Sequence, residues 1–251
     1  IFNKIKYLVV IIIIITTLFI YFGVFLPLKT ELESNLEEIF ESNITITEQN
    51  VENKFRQFKE GAESLSSRTM IKKKLVKYKN GEISLLKLQD YTQDKYSDGA
   101  KVLDNIIGAY RISDKKIIAS WGEISLGEVF RFNSHDNTST KIKIIRDRNL
   151  LIANSPILDG KSIIGYDIVA FDMKSLLKAI NSQNIKYNII YNDDLKDEKM
   201  IIDNSVKNYR KLLNSNYWLK AKIPKNELYN TVNELTFKII IGFLILIVII
   251  I

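Results

Sequence analysis

Asp167 is the residue whose position most clearly predicts a binding partner for its side chain. The segment from Ile157 to Met173 reads ILDGKSIIGYDIVAFDM, an apolar strand with this acid in its middle. An unpaired carboxylate in a half-buried strand costs several kcal/mol, so a partner must compensate it. That partner is either a ligand from outside or an arginine across the sheet, for which Arg111 and Arg146 are the candidates. Both readings stay open at this point.

If Asp167 faces a pocket, residues on the neighbouring strands and in the polar loop from Gly122 to Thr140 could line it. A register slip of one residue would turn these side chains to the opposite face of the sheet. With Asp167, the predicted ligand-binding set is Trp121, Tyr110, Arg111, Arg131 and Arg146.

Other groups that could do chemistry are weaker. His135 stands in a Ser-His-Asp triplet, but it lies in a polar loop without a nucleophile elbow, which favours a solvated loop. Asp193-Asp194 and Asp197-Glu198 lack the spaced oxygens and the glycine of a calcium loop. With no cysteine and one histidine, a cysteine-ligated or histidine-rich metal site is excluded. We predict no enzyme, no cofactor and no metal in this portion of the protein.

The ends of the chain predict its location. The stretch from Tyr7 to Leu28 is uncharged, and about 22 residues at ~1.5 Å each cover roughly 33 Å, enough for a bilayer core. Lys4 and Lys6 precede this span, which predicts that residues 1–6 are cytoplasmic. The apolar run from Ile239 to Ile251 covers only ~20 Å, so we expect residues 229–251 to enter a second membrane helix cut short.

Two spans would leave the middle of the chain outside the cytoplasmic membrane. The formal net charge is +7, but the basic residues are interspersed with acids and form no block of the kind that binds nucleic acid. The expected partners are therefore the membrane, a small polar ligand such as an amine or amino acid, and a second copy of the chain, but no nucleic acid.

Periodicity predicts the elements between the spans. Residues 29–62 form a charged helix with an apolar stripe at steps of three and four, interpreted as a stalk. Residues 63–183 combine helices with five strands, an order typical of an α+β module with one antiparallel sheet. For residues 184–228 we expect a small second sheet. Its predicted elements are strands at Ile185–Tyr191, Lys199–Asp203 and Tyr217–Ile223, and a short helix at Val206–Leu213.

Three stretches of sequence carry a likeness to a known family: NIIGAYRISDKKIIASWG, ANSPILDGKSIIGYDIVAFDMKSLL and NYWLKAKIPKNELYN. They resemble the double Cache domain, a pair of PAS-like modules on a long helix in bacterial two-span receptors. The resemblance implies an α+β fold with a long N-terminal helix and two antiparallel PAS-like sheets, flanked by transmembrane helices. It also implies that Asp167, in the Gly-x-Asp-Ile position, faces the ligand pocket of the membrane-distal module.

The resemblance implies a function as well, namely sensing of a small ligand and signalling to a cytoplasmic output domain. That domain would be a diguanylate cyclase, a histidine kinase or a chemoreceptor signalling domain. The loop that holds Arg131 between two phenylalanines lacks the Arg-x-Trp-Tyr segment of amino-acid-binding members. Two alternatives remain: a polysaccharide chain-length regulator, which shares the two-span topology, and a degenerate sensor domain that only dimerises.

Overall fold

The computed structural model describes residues 2–123, 138–181, 184–213 and 216–250. The chain divides into two compact units, one of residues 1–49 with 180–251 and one of residues 50–179. Each unit contains one antiparallel sheet, so the predicted α+β class is confirmed.

The chain begins with a nearly continuous helical run. Helix α1 (Phe2–Ile20) passes through a π-helical turn (Tyr21–Phe25) into α2 (Leu26–Ser66), which has 41 residues. Among the described residues, one helix is long and apolar enough to cross a bilayer, the run from Tyr7 to Ser66 with its apolar stretch near the N-terminus.

Helix α2 is built as its periodicity predicts. The apolar stripe has eight positions from Leu36 to Leu65, of which seven are buried, whereas Leu36 is half-buried. The helix continues through Gly61, where an added Cβ would lie 3.4 Å from the side chain of Leu103 and 3.6 Å from that of Phe171. The buried stripe residues are Phe40, Ile44, Val51, Phe55, Phe58, Ala62 and Leu65.

The unit of residues 50–179 places helices against a five-stranded sheet in the order β2-β1-β5-β4-β3. Its helices after α2 are α3 (Thr69–Lys79), α4 (Leu85–Lys101) and α5 (Lys174–Ile180, which ends one residue past the unit). Its strands are β1 (Ile106–Ser113), β2 (Lys116–Gly122), β3 (Lys141–Ile145), β4 (Leu150–Asp159) and β5 (Ser162–Asp172).

Both faces of this sheet are buried, which explains why β4 and β5 read as almost continuous apolar runs. On the helix-facing side, Phe58 of α2 stacks on Phe171 of β5 with ring centroids 4.5 Å apart. The opposite side carries a separate apolar cluster that includes Tyr110 and Ile168. Because side chains alternate along a strand, neighbours such as Tyr110 and Arg111 lie on opposite faces.

The small sheet has the order β6-β8-β7, formed by β6 (Lys186–Tyr191), β7 (Ser205–Leu212) and β8 (Tyr217–Pro224). Helix α6 (Leu195–Met200) lies between β6 and β7, while α7 (Lys225–Leu228) and α8 (Asn230–Ile250) follow β8. Two local predictions were wrong here, because residues 199–203 form no strand and residues 206–213 belong mostly to β7.

Residues 206–212 form a strand rather than the predicted helix because an acid outside the strand, Asp203, compensates its charges. Lys207 of β7 and Lys222 of β8 lie directly opposite each other, an arrangement that would repel on its own. The carboxylate of Asp203 contacts the Nζ atoms of both lysines, at 3.1 and 2.6 Å. This neutralisation permits a charged segment that lacks clean apolar alternation to pair as a strand.

Candidate functional site

Asp167 is paired inside the protein. It lies directly opposite Arg111 in the β1–β5 register, and neither side chain is exposed to solvent. Arg111 donates from Nε to Oδ1 of Asp167 at 2.9 Å and from Nη2 to Oδ2 at 2.6 Å. This two-pronged contact is the geometry in which a guanidinium binds a carboxylate most strongly. Arg111 is therefore the internal partner of Asp167, the second of the two alternatives that the sequence left open.

The ion pair is also connected to helix α2. Nη2 of Arg111 donates to the carbonyl oxygen of Leu65 at 2.7 Å, and this carbonyl, in the last turn of the helix, also accepts from the amide of Arg68 at 3.3 Å. A cation at the carboxyl end of a helix is favourable because it interacts with the helix dipole. The sheet therefore adds a charged donor to the local backbone hydrogen bonds at the end of the helix.

The ionisation of the groups around the pair follows from burial and charge. Burial alone would lower the pKa of Arg111, but the charge of Asp167 and its hydrogen bonds raise it above its ordinary value. The guanidinium carbon lies 5.2 Å from the ring centroid of Tyr96 on α4. Burial first, and then the negative charge of Asp167, raise the pKa of Tyr96 well above its ordinary value. Arg111 therefore stays charged and Tyr96 stays neutral at neutral pH.

Hydroxyl side chains extend this polar layer along the same face of the sheet. Ser155 of β4 lies directly opposite Asp167, and its Oγ is 3.0 Å from Oγ1 of Thr140 and 2.8 Å from Oγ of Ser66. The layer thus runs across the strands from Arg111 to Thr140 and contacts the end of α2 at two points, Leu65 and Ser66. We call these residues the polar row.

At the end of the polar row lies a pocket of about 440 Å³. Helix α2, the start of α3, the residues just before β3 and strand β4 form its walls. Six of its ten lining residues carry hydroxyl groups, and we refer to it as the hydroxyl pocket. Within the described residues, no group of three or more acidic or histidine side chains could hold a metal ion.

Among the predicted ligand-binding residues that the structure describes, Asp167 and Arg111 are the two brought together. Tyr110 faces the opposite side of the sheet, and Trp121 lies near the end of β2, half-buried. Arg146 begins an exposed 3-10 turn after β3. Arg131 and His135 lie outside the described residues. The ligand-binding roles of these side chains stay predictions.

Sequence reasoning missed Ser66, Thr140 and Ser155. The Asp159-Gly160 turn gave a signal, because a two-residue hairpin fixes which residues of β4 and β5 face each other. A bulge at Ile164 of β5 shifts that register by one residue, however, and the shift is what places Ser155 opposite Asp167. Without the bulge, the sequence would have placed this serine on the other face.

Comparisons with known proteins identify the fold. No family model matches the sequence, and no curated protein matches it. Solved structures do match, among them the sensor domain of the histidine kinase DctB from V. cholerae. It has a TM-score of 0.53 and 10% identity, over 78% of this chain and 99% of that chain.

Two further structures are similar at the same level. One is a domain of a protein assigned to the sensory box/GGDEF family of Vibrio parahaemolyticus, with a TM-score of 0.51 and 12% identity, over 78% of this chain and 99% of that one. The other is the extracellular domain of the histidine kinase vpHK1S-Z8, with a TM-score of 0.50 and 12% identity, over 80% of this chain and 96% of that one. The chain therefore has the α+β fold of Cache (PAS-like) sensor domains, as the resemblance predicted.

Proposed function

We propose that this chain is the ligand-sensing region of a transmembrane signal-transduction receptor. Its two sheets would lie outside the cytoplasmic membrane, and its helices would pass the signal to a cytoplasmic output domain. The observation that carries the proposal is the fold of a sensor domain joined to one helical run that begins with an apolar stretch. The two membrane spans, at residues 7–28 and within 229–251, are part of the proposal.

The signal would travel as a shift between two states of the helices. A ligand moves such an equilibrium only by its difference in affinity for the two states, and a few kcal/mol suffice. The contacts of Leu65 and Ser66 with the polar row support α2 as the moving part, because a change in the sheet reaches the end of this helix directly. A homodimer would provide a second helix against which α2 can move.

The proposal predicts that a small polar compound stabilises the protein. The test uses the whole chain in lipid nanodiscs and measures its melting temperature with amino acids, amines, carboxylates and sugars. Ligand at about 100 times its Kd should raise the melting temperature by about 5 to 10 °C. If no compound in any of these classes changes the melting temperature, the sensing proposal is wrong.

The same experiment tests the role of Asp167. A ligand amine at this carboxylate would have to displace Arg111 and leave its guanidinium buried without a counterion, which is costly. If a ligand binds Asp167, the variant Asp167→Asn should lose most of the ligand-induced shift, whereas the exposed control Asp159→Asn should keep it. An equal shift in both variants would place the ligand elsewhere.

The ion pair supports a second candidate, a sensor-like module that dimerises and binds nothing at Asp167. Both carboxylate oxygens already accept hydrogen bonds from Arg111, so no ligand is needed to compensate the buried charge. Sedimentation of the chain in detergent separates the two candidates. The dimerising module should form dimers with the same dissociation constant in every compound tested, whereas a ligand-dependent constant would contradict it.

A further inference from the structure

Three hydroxyl side chains of the hydroxyl pocket, those of Thr140, Ser155 and Ser66, form hydrogen bonds that all donate in the same direction. Oγ of Ser66 donates its single hydrogen to the carbonyl oxygen of Glu63 at 3.0 Å. Ser66 can therefore only accept from Ser155, and Ser155, having used its own hydrogen, can only accept from Thr140. The chain of donation runs from Thr140 through Ser155 and Ser66 to the last turn of α2.

This direction decides what the pocket can bind. The hydrogen of Thr140 is committed to Ser155, so the oxygen of Thr140 presents only lone pairs towards a ligand. Ser67 is in the same situation, because its Oγ donates to the carbonyl oxygen of Ser64 at 3.3 Å. Glu63, whose Oε1 lies 3.9 Å from Nζ of Lys59, is a third lining residue that can accept hydrogen bonds. Thr138, Ser139 and Lys72 also line the pocket and can donate, so the complementary ligand must carry both donors and acceptors.

The remaining lining residues limit the kinds of ligand that the pocket can bind. Lys72 and Glu63 are the two charged residues of the lining and have opposite signs, so the formal charges of the wall cancel. Pro156 and Leu158 add an apolar patch beside the hydroxyl groups. A neutral molecule with several hydroxyl groups on a carbon skeleton meets all these conditions. Its hydroxyl groups donate to the acceptors, one oxygen accepts from Lys72, and its C–H groups contact Pro156 and Leu158.

We infer that the hydroxyl pocket binds a neutral polyhydroxylated compound of monosaccharide size. The inference rests on the proposed sensing function, and it assigns that function to a place away from Asp167. A ligand here would contact the last turn of α2 through Glu63 and the beginning of α3 through Lys72. It would also hydrogen-bond to Thr140, which is the first donor in the series of hydrogen bonds that continues through Ser155 to Ser66. Binding would therefore favour the arrangement in which the end of α2 is held against the sheet.

The test measures binding of D-ribose, D-glucose and myo-inositol to the whole chain in nanodiscs, by isothermal calorimetry and by the shift in melting temperature. Succinate and ethanolamine serve as the anionic and cationic arms. Glu63→Gln and Lys72→Ala each remove one charged group from the wall, and both residues are partly exposed, so folding should be preserved. Lys73→Ala, at the exposed neighbouring position outside the pocket, is the matched control.

We expect at least one of the three polyols to bind, with affinity at least tenfold weaker in Glu63→Gln and in Lys72→Ala and unchanged in Lys73→Ala. The inference is overturned if none of them binds, or if a bound polyol keeps its affinity in both pocket variants. Binding of succinate or ethanolamine that both pocket variants leave unchanged, without polyol binding, would overturn this inference but uphold the sensing function. Complete absence of binding in all arms would count against both.

Discussion

The buried pair of Arg111 and Asp167 predicts a large loss of stability when only its acid is removed. In Asp167→Asn, the guanidinium of Arg111 would stay fully buried without a counterion, while the size of its partner hardly changes. Breaking a buried pair in this way costs about 3 to 5 kcal/mol in the free energy of unfolding. Because a domain is stable by only about 5 to 15 kcal/mol, this variant should be visibly compromised.

The chain offers a matched control on its surface. Lys79 and Asp114 form an ion pair with the same N···O distance of 2.6 Å, but their side chains are 32% and 51% exposed. Solvent screens such a pair, so Asp114→Asn should change the free energy of unfolding by about 1 kcal/mol or less. Asn is also suited to the positive φ of 49° at this position. The two variants make the same chemical change and differ mainly in burial.

The assay is urea unfolding of the whole chain in nanodiscs, read by tryptophan fluorescence. Trp121 belongs to the unit of residues 50–179 and Trp218 to the other unit, so a Trp218→Phe background makes the signal report on the unit that holds the pair. A double variant, Arg111→Met with Asp167→Leu, removes both charges and should be more stable than Asp167→Asn by about 1 kcal/mol or more. The reasoning is refuted if Asp167→Asn costs no more than Asp114→Asn.

Three further predictions concern packing and pH. Phe171→Ala should destabilise the protein by about 3 to 5 kcal/mol in the same urea assay, because it removes a ring that is 1% exposed and stacked on Phe58. Gly165→Ala should lower the free energy of unfolding by about 1 to 3 kcal/mol, because its Cβ would lie 2.6 Å from the carbonyl oxygen of Ile112. An added Cβ at Gly160 has nothing within 4 Å, so Gly160→Ala should be destabilised only by the strain of its positive φ. Hydrogen bonds from Lys222 and then Ser205 hold the pKa of Asp203 well below its ordinary value. Its stabilising contribution is therefore present above about pH 4 and lost at lower pH, so the stability difference between the wild type and Asp203→Asn, read by Trp218 fluorescence, should shrink on acidification.

Most of the larger sheet could be predicted because its signals are local. Apolar runs bounded by turns predict strands at residues 105–112, 116–121, 141–146, 150–158 and 162–171, and each of their ends lies within one residue of the observed strand. The sequence also predicts that Asp172 caps the helix after β5, and its Oδ1 accepts a hydrogen bond from the amide of Lys174. The stripe on α2 gave the buried face of the helix. The errors fall in the small sheet, where the pairing of β7 depends on Asp203, and no pattern within β7 itself reveals that contact.

The site was less predictable, because it depends on registers between strands far apart in sequence. The sequence correctly named Arg111 as one of two arginines that could neutralise Asp167, but it could not choose between Arg111 and Arg146. That choice follows from the pairing of β1 with β5, which are 48 residues or more apart. The polar row depends in addition on the bulge at Ile164 of β5, a one-residue irregularity without a mark in the sequence.

The unbroken course of α2 limits how its length can change during evolution. Each residue added between Leu26 and Leu65 would turn everything before it by about 100° relative to everything after it. One added residue would therefore misalign the buried stripe, while seven would restore it to within about 20°. Related chains should accordingly differ in the length of this helix by about two whole turns or not at all.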